Sequence, residues 1–123
     1  MSTLVEFEKL AIEVGAAKAG LRSVLPRTVQ GESGVVHSFN LLLSDGHRLY
    51  AFDIYDSVTP REVVKSYAKE LDTGCTVSLV CPAGGTAEEA GALATSYGLR
   101  VITPDAAGKF FSLEKAAPRG ASN

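Results

Sequence analysis

Long apolar runs are missing from this sequence. No stretch approaches the roughly 18 consecutive apolar residues that cross a bilayer as a helix, so neither a membrane span nor a membrane partner is expected. Cysteine is scarce, with Cys75 and Cys81 alone. Both fall in one predicted strand, on the same face and about 20 Å apart, whereas a disulfide needs Cα atoms within about 7 Å. They read as free thiols of a reducing compartment. Residues 1–6 carry no basic region followed by an apolar run, so no secretory leader is read there. These absences together predict a cytoplasmic protein. An excess of charge of either sign is also missing. Twelve Lys and Arg against fourteen Asp and Glu leave a net charge of -2. No overall field draws the chain to nucleic acid, and phosphate contact requires a local basic patch.

What is present is the composition of a folded domain. A chain of 123 residues has the usual size of one domain and buries most of its apolar surface without staples. Its 46% hydrophobic and 21% charged residues argue against disorder. Neither an internal repeat nor a linker is visible. One domain is expected over 1–117, with a flexible tail over 118–123.

Thr3 followed three residues later by Glu6 makes a capping box. Leu4, Phe7, Leu10, Ala11 and Val14 then recur at helical spacing, which predicts a helix over 4–19 with Gly20 as its stop. Leu21, Val24 and Val29 suit a short strand that Pro26 confines to a sheet edge, and 31–34 reads as a turn. An apolar strand over 35–43, a turn at Asp45-Gly46 and a returning strand over 48–55 make a hairpin. Thr59, Pro60 and Glu62 start a helix as N-cap, first helical residue and capping-box acid. Val63, Val64, Tyr67, Ala68 and Leu71 line one face of it, and Gly74 ends it. A buried strand at 76–80 follows. Thr86 and Glu89 form a third capping box, opening a helix with a small-residue face that ends at Gly98. A strand over 99–102 comes next, and 109–113 suits an additional edge strand. A hairpin followed by strand–helix–strand crossovers predicts an α/β fold, three-layer α-β-α around a mixed sheet.

Two stretches of the hairpin carry the polar residues of interest: His37-Ser38-Phe39-Asn40-Leu41-Leu42-Leu43 and Ala51-Phe52-Asp53-Ile54-Tyr55-Asp56. With the helix–hairpin–helix–strand order around them, roughly residues 4–104 resemble the PD-(D/E)xK nuclease superfamily. Its members include archaeal Holliday junction resolvases and Mrr-type restriction enzymes. In that family an acid on one hairpin strand, an acid-x-Lys triplet on the next and often a glutamate of the first helix surround a divalent metal. The metal activates water against a phosphodiester, and the lysine steadies the water or the developing phosphate charge. The resemblance places the family aspartate at Asn40, the triplet acid at Asp53 and the lysine at Tyr55, with Glu6 or Glu13 as the helix glutamate. One signature position of three is kept. Asn40 offers a neutral oxygen where Mg²⁺ takes a carboxylate. Tyr55, with a reference pKa of about 10, cannot replace an ammonium.

The resemblance therefore implies a restriction endonuclease-like fold with a relic site at Asn40, Asp53 and Tyr55. Such a protein acts without a cofactor, as a nucleic-acid-binding or scaffolding module. An active endonuclease is the alternative, with the lysine relocated to Lys65 or Lys69, Asp53 and Glu13 as acids, and Mg²⁺ or Mn²⁺ held at Asp53. A protein–protein interaction subunit is a third reading, and another small α/β fold such as a flavodoxin-like one a fourth. DNA or RNA, a protein partner and a second copy of the chain all stay open as partners. Arg22, Arg27 and Arg48 are the candidate phosphate contacts, provided the hairpin mouth gathers them. Plainer readings stand beside these. Asp53 is then a structural acid, and Asn40 a side chain that satisfies backbone groups. The Pro82–Thr86 loop lacks a phosphate-loop ending, and Glu88 and Glu89 repel phosphate there. His37, His47, Cys75 and Cys81 have no metal-ligand spacing.

Overall fold

The computed structural model describes Ile12 and residues 15–103. Helical residues 15–18 end in a turn at Gly20, whose φ of 86° suits a residue without a Cβ, and the Leu21 N–H reaches back to the Ala16 carbonyl at 2.9 Å. Strands β1 (Arg22–Ser23), β2 (Thr28–Gln30), β3 (Val36–Ser38), β4 (Leu41–Ser44) and β5 (Leu49–Ile54) follow. Helix α1 (Pro60–Thr73), β6 (Thr76–Val80), α2 (Glu88–Tyr97) and β7 (Arg100–Ile102) complete the order. The glutamates proposed for the first helix, Glu6 and Glu13, lie outside the described residues, as do 109–113 and the tail from 118.

The main sheet has the order β1-β4-β5-β6-β7. In it β4 runs antiparallel to both of its neighbours, β1 and β5, and β5, β6 and β7 are parallel. Parallel neighbours need crossovers, which α1 and α2 supply. The described residues are mixed α/β, with a five-stranded mixed sheet and three helices. Alternation along β5 separates two apolar clusters. Tyr50, Phe52 and Ile54 meet Ile12, Ala16, Leu41 and Leu43. Ala51, with Leu42, Val77 and Leu79, meets Val63 of α1 and Ala90 and Ala94 of α2. Each fully buried Leu, Val or Phe among them contributes about 1.5–3 kcal/mol. Among the described residues no helix is long and apolar enough to cross a membrane.

Three expectations are corrected. The apolar stretch 35–43 is not one strand, because β3 pairs with β2 in a separate ribbon while β4 joins the main sheet. Likewise Leu21, Val24 and Val29 do not share a strand, since Pro26 falls between β1 and β2. Helix α2 is capped by Ala87 and not by Thr86. Thr86 is held in a parallel bridge to Val58, whose carbonyl takes the Ala87 N–H at 3.0 Å, so its backbone is committed before the helix begins. By contrast, the start of α1 is as read: the Thr59 N–H donates to Glu62 Oε1 at 2.9 Å, and its hydroxyl donates to the same oxygen.

A two-stranded ribbon is marginal alone, and α1 fixes this one. The Asp72 carboxylate accepts the Ser33 N–H at 2.9 Å, the Ser33 hydroxyl at 2.6 Å and a bond from His37 Nε2 at 2.7 Å. The Asp72 carbonyl accepts the Glu32 N–H at 2.9 Å. A Cβ on Gly31 would overlap the Asp72 carboxylate, so the ribbon approaches the helix only where a side chain is missing. The Ser33 hydroxyl, then His37, hold the Asp72 carboxyl at about 2, below its ordinary 3.8. A depressed carboxyl stabilises the fold above its ordinary pKa and ceases to do so as pH falls through the folded value. Circular dichroism and side-chain NMR shifts should therefore show the ribbon loosening as pH drops from about 4 towards about 2. Gly31→Ala should push the Asp72 carboxylate off Ser33 and His37 and cost about 1 kcal/mol in urea denaturation, the worth of a typical hydrogen bond.

Candidate functional site

Asp53 is the one charged side chain among the buried described residues, 3% exposed near the C-terminal end of β5. Alternation turns it to the α1 side of the sheet. Two residues of α1, three positions apart and so on one helix face, converge on it. The Ser66 hydroxyl donates to Oδ2 at 2.7 Å. Lys69 Nζ donates to Oδ1 at 3.2 Å and Oδ2 at 3.4 Å, and also to the Ser38 carbonyl at 2.9 Å. The same ammonium lies 4.9 Å from the centroid of the Phe39 ring, within cation–π range. The carboxylate is thus neutralised and hydrogen-bonded, the condition under which a buried charge is tolerated.

This pairing sets the rotation of α1. The five apolar residues expected on one face are divided. Val63 is buried, and Tyr67 is half-buried and stacked on Tyr97 of α2 with centroids 4.1 Å apart. Val64 (49%), Ala68 and Leu71 (66%) are exposed. Turning those inward would expose Val63 and unstack Tyr67 from Tyr97, so the apolar gain and loss roughly offset each other. It would also swing Ser66 and Lys69 away from Asp53. Leaving a buried charge without its partner costs about 3–5 kcal/mol.

Asn40, one residue before β4, is committed to the backbone. Its Oδ1 accepts the Ile54 N–H at 2.7 Å, and its own N–H donates to the Phe52 carbonyl at 3.0 Å. The side-chain carbonyl stands in for the ladder acceptor where β4 departs. Tyr55 follows Asp53 by two residues. Burial, and secondarily the Asp53 carboxylate, push its phenol up to about 12, with the Ser66 hydroxyl partly offsetting them. It stays neutral across the physiological range and offers no cation. Lys65 is exposed; the lysine at Asp53 is Lys69, one helical turn on. Ser66 escaped the sequence reading, although a serine between Val63 and Tyr67 on a helix facing a strand acid was its signal.

The three arginines are not gathered at one mouth. Arg22 lies opposite Ser44, and the Arg48 N–H donates to Asp45 Oδ1 at 2.7 Å, so both mark the turn end of the β4–β5 hairpin. Arg27, whose carbonyl accepts the Phe39 N–H at 2.9 Å, belongs to the other end. Along β5 those ends are about 16 Å apart. No protein-family model, curated protein or solved structure matches this chain. Among the described residues no three His, Cys, Asp or Glu side chains group as a metal site would require.

The cluster is a buried ion pair with a serine hydroxyl on its acid. Lys69→Met should cost about 3 kcal/mol in urea denaturation because the carboxylate loses its cation. Adding Asp53→Leu to Lys69→Met should recover most of that loss, since a buried ion pair and its apolar replacement are often nearly equal.

Proposed function

We propose that this protein is a non-catalytic module with a three-layer, restriction endonuclease-like layout, acting by binding or scaffolding in the cytoplasm. One observation carries the reading. Asp53, the acid of the family triplet, is spent on Lys69 and Ser66. Mg²⁺ sheds water reluctantly and is bound through carboxylates, and a lone carboxylate already neutralised by an ammonium is a poor ligand. Asn40 and Tyr55 add only neutral oxygen, and the Asn40 oxygen is engaged by Ile54. The layout is supported by the antiparallel β4–β5 hairpin inside the sheet, followed by α1 and a parallel β6. An all-parallel flavodoxin-like sheet would lack that hairpin. The two cysteines, both free and buried, suit a reducing compartment. Between the two kinds of partner, the separation of Arg22 and Arg48 from Arg27 favours protein over nucleic acid, because phosphate binding relies on clustered cations.

A second reading has its own observation. Lys69 reaches Asp53 from the helix after the hairpin, which is the geometry a relocated catalytic lysine would need. Calorimetry with Mg²⁺ and Mn²⁺ separates the two. The non-catalytic reading expects no binding at about millimolar metal, where weak Ca²⁺-type sites still register, and no cleavage of DNA or RNA. Cleavage that Asp53→Ala abolishes would establish the second reading instead.

A further inference from the structure

The exposed face of α1 is unusual in its charge. Arg61, Val64, Lys65, Ala68 and Leu71 are its exposed residues. At 100° per residue they fill one arc of about 120°, with Leu71, Val64 and Ala68 forming an apolar row and Arg61 and Lys65 a cationic row beside it. Of the helix's three acids only Glu62, next to Arg61, acts on this cationic row, and none lies within the arc. Glu62 is turned to the Thr59 cap, Glu70 Oε1 accepts the Val77 N–H at 3.0 Å, and Asp72 is held by Ser33 and His37. The remaining cation, Lys69, is directed inward to Asp53. Every carboxylate of α1 is therefore already hydrogen-bonded, and the arc itself carries only apolar and positive side chains. From Val64 to Leu71 the apolar row runs about 10 Å, two helical turns.

We propose that this face docks an acidic amphipathic helix of a partner protein. The partner's apolar side chains cover Val64, Ala68 and Leu71, and its carboxylates stand against Arg61 and Lys65. The argument is charge complementarity on an apolar stripe, the pattern of helix-in-groove and helix-on-helix recognition. An exposed Val and Leu two turns apart, with Ala68 between them, mark the contact, and the flanking cations select an acidic partner over a basic one. This rests on the binding reading given above and names the surface and the chemistry of its partner.

The test uses the full chain and a labelled synthetic helix of about 18 residues, or five turns, with leucines at helical spacing and glutamates beside them. Its counterpart carries lysine in place of glutamate. Fluorescence anisotropy should show the glutamate peptide binding and the lysine peptide not. Leu71→Asp should weaken that binding by about tenfold or more, a loss readily read as a change in Kd. The pair Arg61→Glu and Lys65→Glu should do the same and should transfer preference to the lysine peptide. Equal binding of both peptides, or no binding of the glutamate peptide at about 1 mM, overturns the proposal. So does indifference to these substitutions. Binding to phosphatidylserine vesicles or duplex DNA, or a dimer in sedimentation, that the same substitutions abolish would assign the face to another occupant and equally overturn it. Loss of the peptide result without metal binding leaves the non-catalytic reading standing, whereas Asp53-dependent cleavage removes that reading whatever the peptides do.

Discussion

A carboxylate withdrawn from water on a sheet strand has to be answered by the element that covers it. Asp53 occupies such a position, and α1 answers it with Ser66 and Lys69. Because those two residues are three apart, they fix the rotation of the helix about its axis as well as its place on the sheet. The consequences spread from there. Lys69 ties the Ser38 carbonyl to the same point, Phe39 is held under the ammonium, and Val64 and Leu71 are left facing solvent. One buried charge thus decides which part of an apolar helix face is core and which is surface.

Helix α1 also connects pieces that the strand ladders leave separate. Glu70 meets the start of β6 through Val77, and Asp72 receives the β2–β3 ribbon through Ser33 and His37. These are short, directional bonds to groups that sheet pairing does not reach. Removing acids from the outer face in order to make them leaves that face cationic. The surface chemistry of the helix is in this sense a by-product of how the interior is satisfied.

The proposed nuclease-like layout draws its support from connectivity and none from chemistry. A hairpin, a crossover helix and a parallel strand follow in the order the resemblance requires. At the positions where metal chemistry would sit, an amide extends a ladder, a phenol is kept neutral by burial, and the acid is paired with an ammonium. Each of those side chains thus has a partner or a burial within the fold, which is what the non-catalytic proposal rests on.

Much of the element order was legible because its signals are local. Thr59, Pro60 and Glu62 with Gly74 bracketed α1, the run 76–80 is β6 as read, and Gly98 stops α2 in the left-handed region. Local signals failed where two segments compete for one backbone. The bridge of Thr86 to Val58 displaced a capping box, and the ribbon pairing of β3 broke an apolar stretch that reads as continuous. The oddity of Asp53 and Asn40 in apolar strands was also visible in the chain. By itself, then, the sequence determined where helices and strands begin and which polar residues needed partners, since capping and alternation act within a few residues. Only the tertiary structure decided that Lys69 and Ser66, not Lys65 or Tyr55, meet Asp53, and which half of α1 faces water. Both depend on a helix rotation set by contacts between residues 13 to 16 positions apart, beyond the reach of any local pattern.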